Sequence, residues 1–92
     1  MSVVVRFHPA NLTIAQYEDV VRREEATDTF PPDGRDYHVC FGTDGELHVS
    51  EIWDSQEQLQ AYGELLMPML ADAGVQFSTE PEVFEVQNII RR

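Results

Sequence analysis

Apolar and polar residues alternate from Ser2 to His8, which places Val3, Val5 and Phe7 on one side of a predicted strand and Val4, Arg6 and His8 on the other, until Pro9 ends it. From Thr13 the period changes. Ile14, Tyr17, Val20, Val21 and Glu24 recur at helical spacing, while Glu18, Asp19, Arg22, Arg23 and Glu25 make a wet face. Thr13 is the expected N-cap, Gln16 completes a capping box, and Leu12 is placed to staple onto Tyr17, so a helix should run to about Ala26. Pro31-Pro32-Asp33-Gly34 reads as a turn. A second helical stripe, Leu59, Tyr62, Leu66, Met69, Leu70 and Ala73, follows Asp54 or Ser55 as N-cap and ends at Gly74, which suits a left-handed C′ position. Pro68 removes a backbone donor inside that stripe and should bend the helix near Glu64. Val75 to Phe77 is short and extended, and Glu82 to Ile90 alternates as a last strand.

Between the helices, Arg35 to Trp53 is patterned as a hairpin around Asp44-Gly45, the strongest two-residue turn signal, with a type I′ turn expected. That register pairs Thr43 with Glu46, Phe41 with His48, Val39 with Ser50 and Tyr37 with Ile52. On the other face it pairs Gly42 with Leu47, Cys40 with Val49, His38 with Glu51 and Asp36 with Trp53. One face is apolar and aromatic. The other mixes an imidazole, a carboxylate, a thiol and an indole, the make-up of a pocket wall.

The resulting order, β-α-β-β-α-β, predicts an α+β ferredoxin-like fold: a four-stranded antiparallel sheet with both helices on one face. Choosing the apolar members of each alternation assigns Val3, Val5, Phe7, Tyr37, Val39, Phe41 and Ile52 to the helix-covered face. Val4, Cys40, Leu47, Val49 and Trp53 are then left on an open face more apolar than a monomer tolerates. An isologous homodimer with two sheets face to face is the economical cover.

Composition bounds the rest. At 92 residues and 42% hydrophobic, the chain suits a single domain spanning 1–92. Six basic against seventeen acidic residues give a net charge of −11, which repels nucleic acid and anionic lipid surfaces. No apolar run approaches ~18 residues and no signal-peptide pattern follows Met1, so neither membrane spanning nor secretion is expected. Cys40 stands alone, without a disulfide partner, as suits a cytoplasmic protein, and its simplest role is that of a small packed residue. The three histidines lack ligand spacing, and no H-x-E, H-E-x-x-H or C-x-x-C string exists, so neither a metal nor another cofactor is expected.

The element order, the stretch Glu51-Ile52-Trp53-Asp54-Ser55 and the helix that continues through Tyr62 resemble the dimeric α+β barrel superfamily. Within it they are similar to antibiotic-biosynthesis-monooxygenase-like domains, where an E-x-W-[DE]-S stretch closes the third strand and opens the second helix. Tyr37-His38-Val39 and Asn88-Ile89-Ile90 look like small actinobacterial members of that group. The resemblance implies a homodimeric barrel and, for its quinone-forming members, oxygenation without metal or flavin. Those members hold substrate with a tryptophan, an asparagine four residues earlier and an arginine on another strand. Trp53 matches the tryptophan, but Val49 stands at the asparagine position. Haem-degrading relatives place an iron-ligating histidine ten residues after the tryptophan, where this chain has Gly63.

From the residues themselves, His38 and Glu51 form the candidate catalytic pair: a carboxylate across the ladder from an imidazole accepts one N–H, fixes the tautomer and leaves the other nitrogen as a general base. Arg6, placed on the same face by alternation, is expected to neutralise Glu51 or bind an anionic substrate, with Trp53 as a stacking wall and Val49 and Cys40 lining the pocket. Three readings stay open: an oxygenase or proton-transfer enzyme acting on a small aromatic or polyketide-like substrate, a module that binds a small apolar or aromatic ligand, and a structural homodimer with a satisfied polar network.

Overall fold

The computed structural model describes residues 1–92 as eight elements: β1 (Val3–Phe7), β2 (Pro9–Ala10), α1 (Ile14–Glu25), β3 (Arg35–Thr43), β4 (Glu46–Trp53), α2 (Gln56–Asp72), β5 (Gln76–Phe77) and β6 (Glu82–Glu85). The main sheet is antiparallel in the order β3-β4-β1-β6, the ferredoxin-like α+β arrangement expected from the sequence. Because β4 lies between β1 and β3, and β1 between β4 and β6, each helix crosses over one intervening strand. Right-handed crossovers put both helices on the same face. Two short strands extend the predicted set, as β2 and β5 pair Pro9 with Phe77 and Ala10 with Gln76 in a small ribbon beside the sheet.

The helix starts follow the sequence. Thr13 accepts from the Gln16 amide at 3.1 Å while the Gln16 side chain takes the Thr13 N–H at 3.0 Å, so the capping box is complete, and Ala26 is the C-cap. Of the two candidates for the second helix, Ser55 is the cap, and α2 continues through Pro68 to Asp72. The last strand is shorter than its alternation suggests. Its ladder with β1 ends beyond the Val3–Glu85 pair, where Val86 N–H donates to the Ser2 carbonyl.

The hairpin register is the predicted one from Thr43–Glu46 back to Tyr37–Ile52, with His38 opposite Glu51. Its turn is not type I′. Asn11 is the single non-glycine residue with positive φ, so Asp44 has negative φ and Gly45, at +87°, supplies the only left-handed step, the sign pattern of a type II turn. Asp44 is recruited elsewhere, since its Oδ1 accepts the Ile14 N–H at 2.9 Å and ties the hairpin tip to the first turn of α1. At the other end the predicted Asp36–Trp53 pair is replaced by Arg35–Trp53, with a bulge between Arg35 and Tyr37. The extra residue turns Asp36 outward to Arg91 and swings Arg35 onto the face of His38 and Glu51.

The helix-covered face of the hairpin is the reverse of the one expected. Val3 pairs with Trp53, Val5 with Glu51 and Phe7 with Val49, so the inner face of β1 continues into the mixed face of β4. Trp53, Val5, Val3 and Tyr62 form the core, with Phe7, Leu59 and Leu66 packed around it, and Leu47 is buried on the same face. Tyr37 and Phe41 are instead exposed, at 55% and 47%, on the open face with Val4, Val39, Ile52 and Phe84. Burying the indole together with Val3 and Val5 of β1 outweighs burying two aromatic rings that sit at an edge strand. The polar members of the inner face are accommodated because the helices bring partners to them.

Candidate functional site

The inner face of the hairpin and the two helices enclose one connected polar network. Glu51, 3% exposed, is its hub. One carboxylate oxygen accepts the Trp53 indole N–H at 3.0 Å; the other accepts from His38 Nδ1 at 2.5 Å and from Arg35 Nη1 at 3.3 Å. An ionised carboxylate only accepts, so Nδ1 carries the imidazole proton. His38 Nε2 lies 2.6 Å from the Tyr17 hydroxyl, which α1 delivers from its inner face, and the two rings stack at 5.9 Å. Burial, above all, and then the neighbouring Cys40 and Glu24 push the Tyr17 phenol above its ordinary value, so it stays protonated and donates to Nε2.

Arg35 joins this half of the network to a second. Its guanidinium also sits 3.6 Å from Glu24, a carboxylate on the buried stripe of α1, and lies over the rings of Phe30 and Tyr62. The Tyr62 hydroxyl donates to Glu24 at 2.5 Å. Burial and that bond drive the Tyr62 phenol well above its usual range. Side-chain exposure is 10% for Arg35, 7% for Glu24 and 4% for Glu51, and no buried side-chain polar atom lacks a partner.

Tyr17, His38, Glu24 and Glu51 reach the wall of a cleft between sheet and helices whose other lining includes Phe7, Leu12, Val20, Val49, Leu66 and Phe77. The cleft encloses about 50 Å3, room for a few waters, against roughly 150 Å3 for a cavity that binds benzene. A space of that size is too small for an aromatic ring as it stands.

The structure therefore brings together His38, Glu51 and Val49 from the predicted set. Arg6 is not with them: it pairs with Ser50 on the open face, and the cation at Glu51 is Arg35. Trp53 is no stacking wall for a ligand, being 0% exposed, packed on Tyr62 and committed to Glu51. Cys40 shares the inner face but does not line the cleft, and burial raises its thiol pKa. Alternation alone put Arg35 on the wrong face, because only the bulge at Asp36 redirects it. Tyr17 and Glu24 were visible as members of the α1 stripe, and a carboxylate on an apolar stripe was the one available sign that a buried cation would meet it.

This fold is that of the antibiotic-biosynthesis-monooxygenase-like domains. An antibiotic biosynthesis monooxygenase assigned in Deinococcus radiodurans superposes with a TM-score of 0.63 at 13% identity, over 100% of this chain and 98% of that one. SnoaB, a cofactor-independent oxygenase from Streptomyces nogalater, gives 0.61 at 17% identity over 99% and 96%. Rv0793 from Mycobacterium tuberculosis gives 0.55 at 18% over 98% and 95%. At these identities the likeness establishes the fold. No protein-family model and no curated protein matches the sequence.

Proposed function

We propose that this chain is a homodimeric α+β barrel protein of the monooxygenase-like class that moves a proton at a small aromatic or polyketide-like compound, with Tyr17 and His38 as the acid–base pair and Glu51 holding the imidazole. The Tyr17–His38–Glu51 chain at an apolar cleft carries the reading. A substrate hydroxyl or acidic C–H gives its proton to the Tyr17 oxygen as the Tyr17 proton passes to Nε2, and the imidazolium formed is held by Glu51. A phenolate or enolate left behind is electron-rich and open to oxidation by dioxygen, which agrees with the fold neighbour SnoaB being named a cofactor-independent oxygenase. Arg35, between Glu24 and Glu51, is a positioning residue. Assembly through the open face, where Tyr37, Phe41 and Phe84 are exposed, supports the dimer, and light scattering should give twice 10.5 kDa. The expected compartment is the cytoplasm, and no helix is long and apolar enough to cross a membrane.

Proton exchange into deuterated buffer, followed by NMR for a panel of phenols and 1,3-diketones, tests the chemistry. His38→Ala and Tyr17→Phe should each slow exchange about 100- to 10,000-fold. Unchanged exchange in His38→Ala would falsify the reading. The roughly 50 Å3 cleft and the fully satisfied network favour one alternative, a structural role for the same groups. That role predicts no acceleration over buffer by the wild-type protein for any compound.

A further inference from the structure

On the sheet face opposite the cleft lies a second concavity of about 200 Å3, lined by Arg6, Phe7, His8, Phe41, His48 and Ser50. Two register pairs build it, Arg6 with Ser50 and Phe41 with His48, and His8 extends the same face beyond β1. Its electrostatics reverse those of the whole molecule. The chain carries six basic residues at a net charge of −11. Arg22 and Arg23 are held by Asp19, Arg35 by Glu24 and Glu51, and Arg91 by Asp36, while Arg92 is exposed and forms no ion pair. Arg6 has no carboxylate within ion-pair distance, although Glu82 stands beside it in the ladder, because Glu82 turns to His8 at 2.7 Å. One uncompensated guanidinium, two of the chain's three imidazoles and a hydroxyl thus face a single hollow beside the half-exposed ring of Phe41.

We propose that this hollow binds a small aromatic carboxylate. The guanidinium fork receives the two carboxylate oxygens, Ser50 and His48 donate beside it, and the ring of the ligand lies against Phe41. Size agrees, since about 200 Å3 exceeds the roughly 150 Å3 that accepts a benzene ring. Charge selects an anion, because Arg6 has no ion-pair partner. One guanidinium matches one carboxylate, and the ring beside it gains contact with Phe41 that inorganic phosphate lacks. Its polar groups lie on the face opposite His38 and Glu51, so the site does not depend on the cleft chemistry. In a face-to-face dimer it would lie in the space between the two sheets.

Benzoate is the probe, titrated against the wild-type protein while the ring protons of the three histidines are followed by NMR. Saturable shifts are expected at His8 and His48 and not at His38, with a Kd of about 1 mM or tighter. Benzamide, the neutral counterpart, should bind at least tenfold more weakly, as should benzoate to Arg6→Gln and Phe41→Ala, with near-ultraviolet circular dichroism confirming that both variants keep the fold. Equal affinity for benzamide or inorganic phosphate, shifts confined to His38, or an Arg6→Gln variant within twofold of the wild type would each overturn the site. So would an Arg6→Gln variant that changes the molecular mass in solution while leaving benzoate affinity alone, since Arg6 would then serve a second copy of the chain.

Discussion

Replacing Arg35 with methionine keeps much of the side-chain volume and removes the cation that stands between two buried carboxylates. Glu24 would keep Tyr62, and Glu51 would keep His38 and Trp53, but the charge that offsets both would be gone. Breaking a buried ion pair on one side costs about 3–5 kcal/mol, because the partner left behind remains desolvated. A chain of 92 residues has on the order of 5–14 kcal/mol in total, so this one change removes a large share of it. At about 4–8 °C per kcal/mol for a domain of this size, Tm should fall by about 12–40 °C. Urea unfolding followed by Trp53 fluorescence measures the free energy directly, and a constant m-value keeps the comparison valid. A second change provides the internal control. Glu24→Gln removes one of the two stranded charges, so the double variant should be more stable than Arg35→Met alone, with a coupling energy of about 1 kcal/mol or more. A loss below about 1 kcal/mol for Arg35→Met, or simple additivity of the two changes, would refute the idea that Arg35 holds the network together.

Tyr62→Phe leaves Glu24 without its short hydrogen bond and should cost about 1–3 kcal/mol at neutral pH. The folded Tyr62 phenol holds its proton to higher pH than the unfolded one, whose ordinary value is 10.0, so the contribution is complete below that pH and declines as pH rises past it. The alkaline fall in stability should therefore be shallower in Tyr62→Phe than in the wild type, and equally steep curves would contradict the assignment. Asp44→Ala frees the Ile14 N–H and should cost about 1 kcal/mol while leaving the cross-strand register intact, as nuclear Overhauser contacts between His38 and Glu51 would report. Gly63→Ala should stabilise α2 by about 0.5–1 kcal/mol, since a methyl group there meets nothing within 4 Å and the glycine lies mid-helix, and a lowered Tm would count against it.

The sequence alone determined what depends on neighbours along the chain. Thr13 and Gln16 mark a helix start because their side chains reach backbone groups within one turn. Asp44-Gly45 sets the hairpin register because the loop length leaves one pairing that satisfies both strands, and so the meeting of His38 with Glu51 was legible from residue order. Tertiary structure decided three matters. Alternation says which residues share a face, not which face the helices cover, and the choice fell to the β1–β4 register, which aligns Val5 with Glu51 and sends Tyr37 and Phe41 outward. A bulge at Asp36 broke the period of two at the one place where it mattered, delivering Arg35 to Glu51, while the β1–β4 register set Arg6 opposite Ser50 on the far side. The turn geometry at Asp44 yielded to its bond with α1, a contact thirty positions away in the chain. Short-range signals carry through folding because their partners are always near. The face, the bulge and the cation depend on surfaces that meet only once the chain has closed on itself.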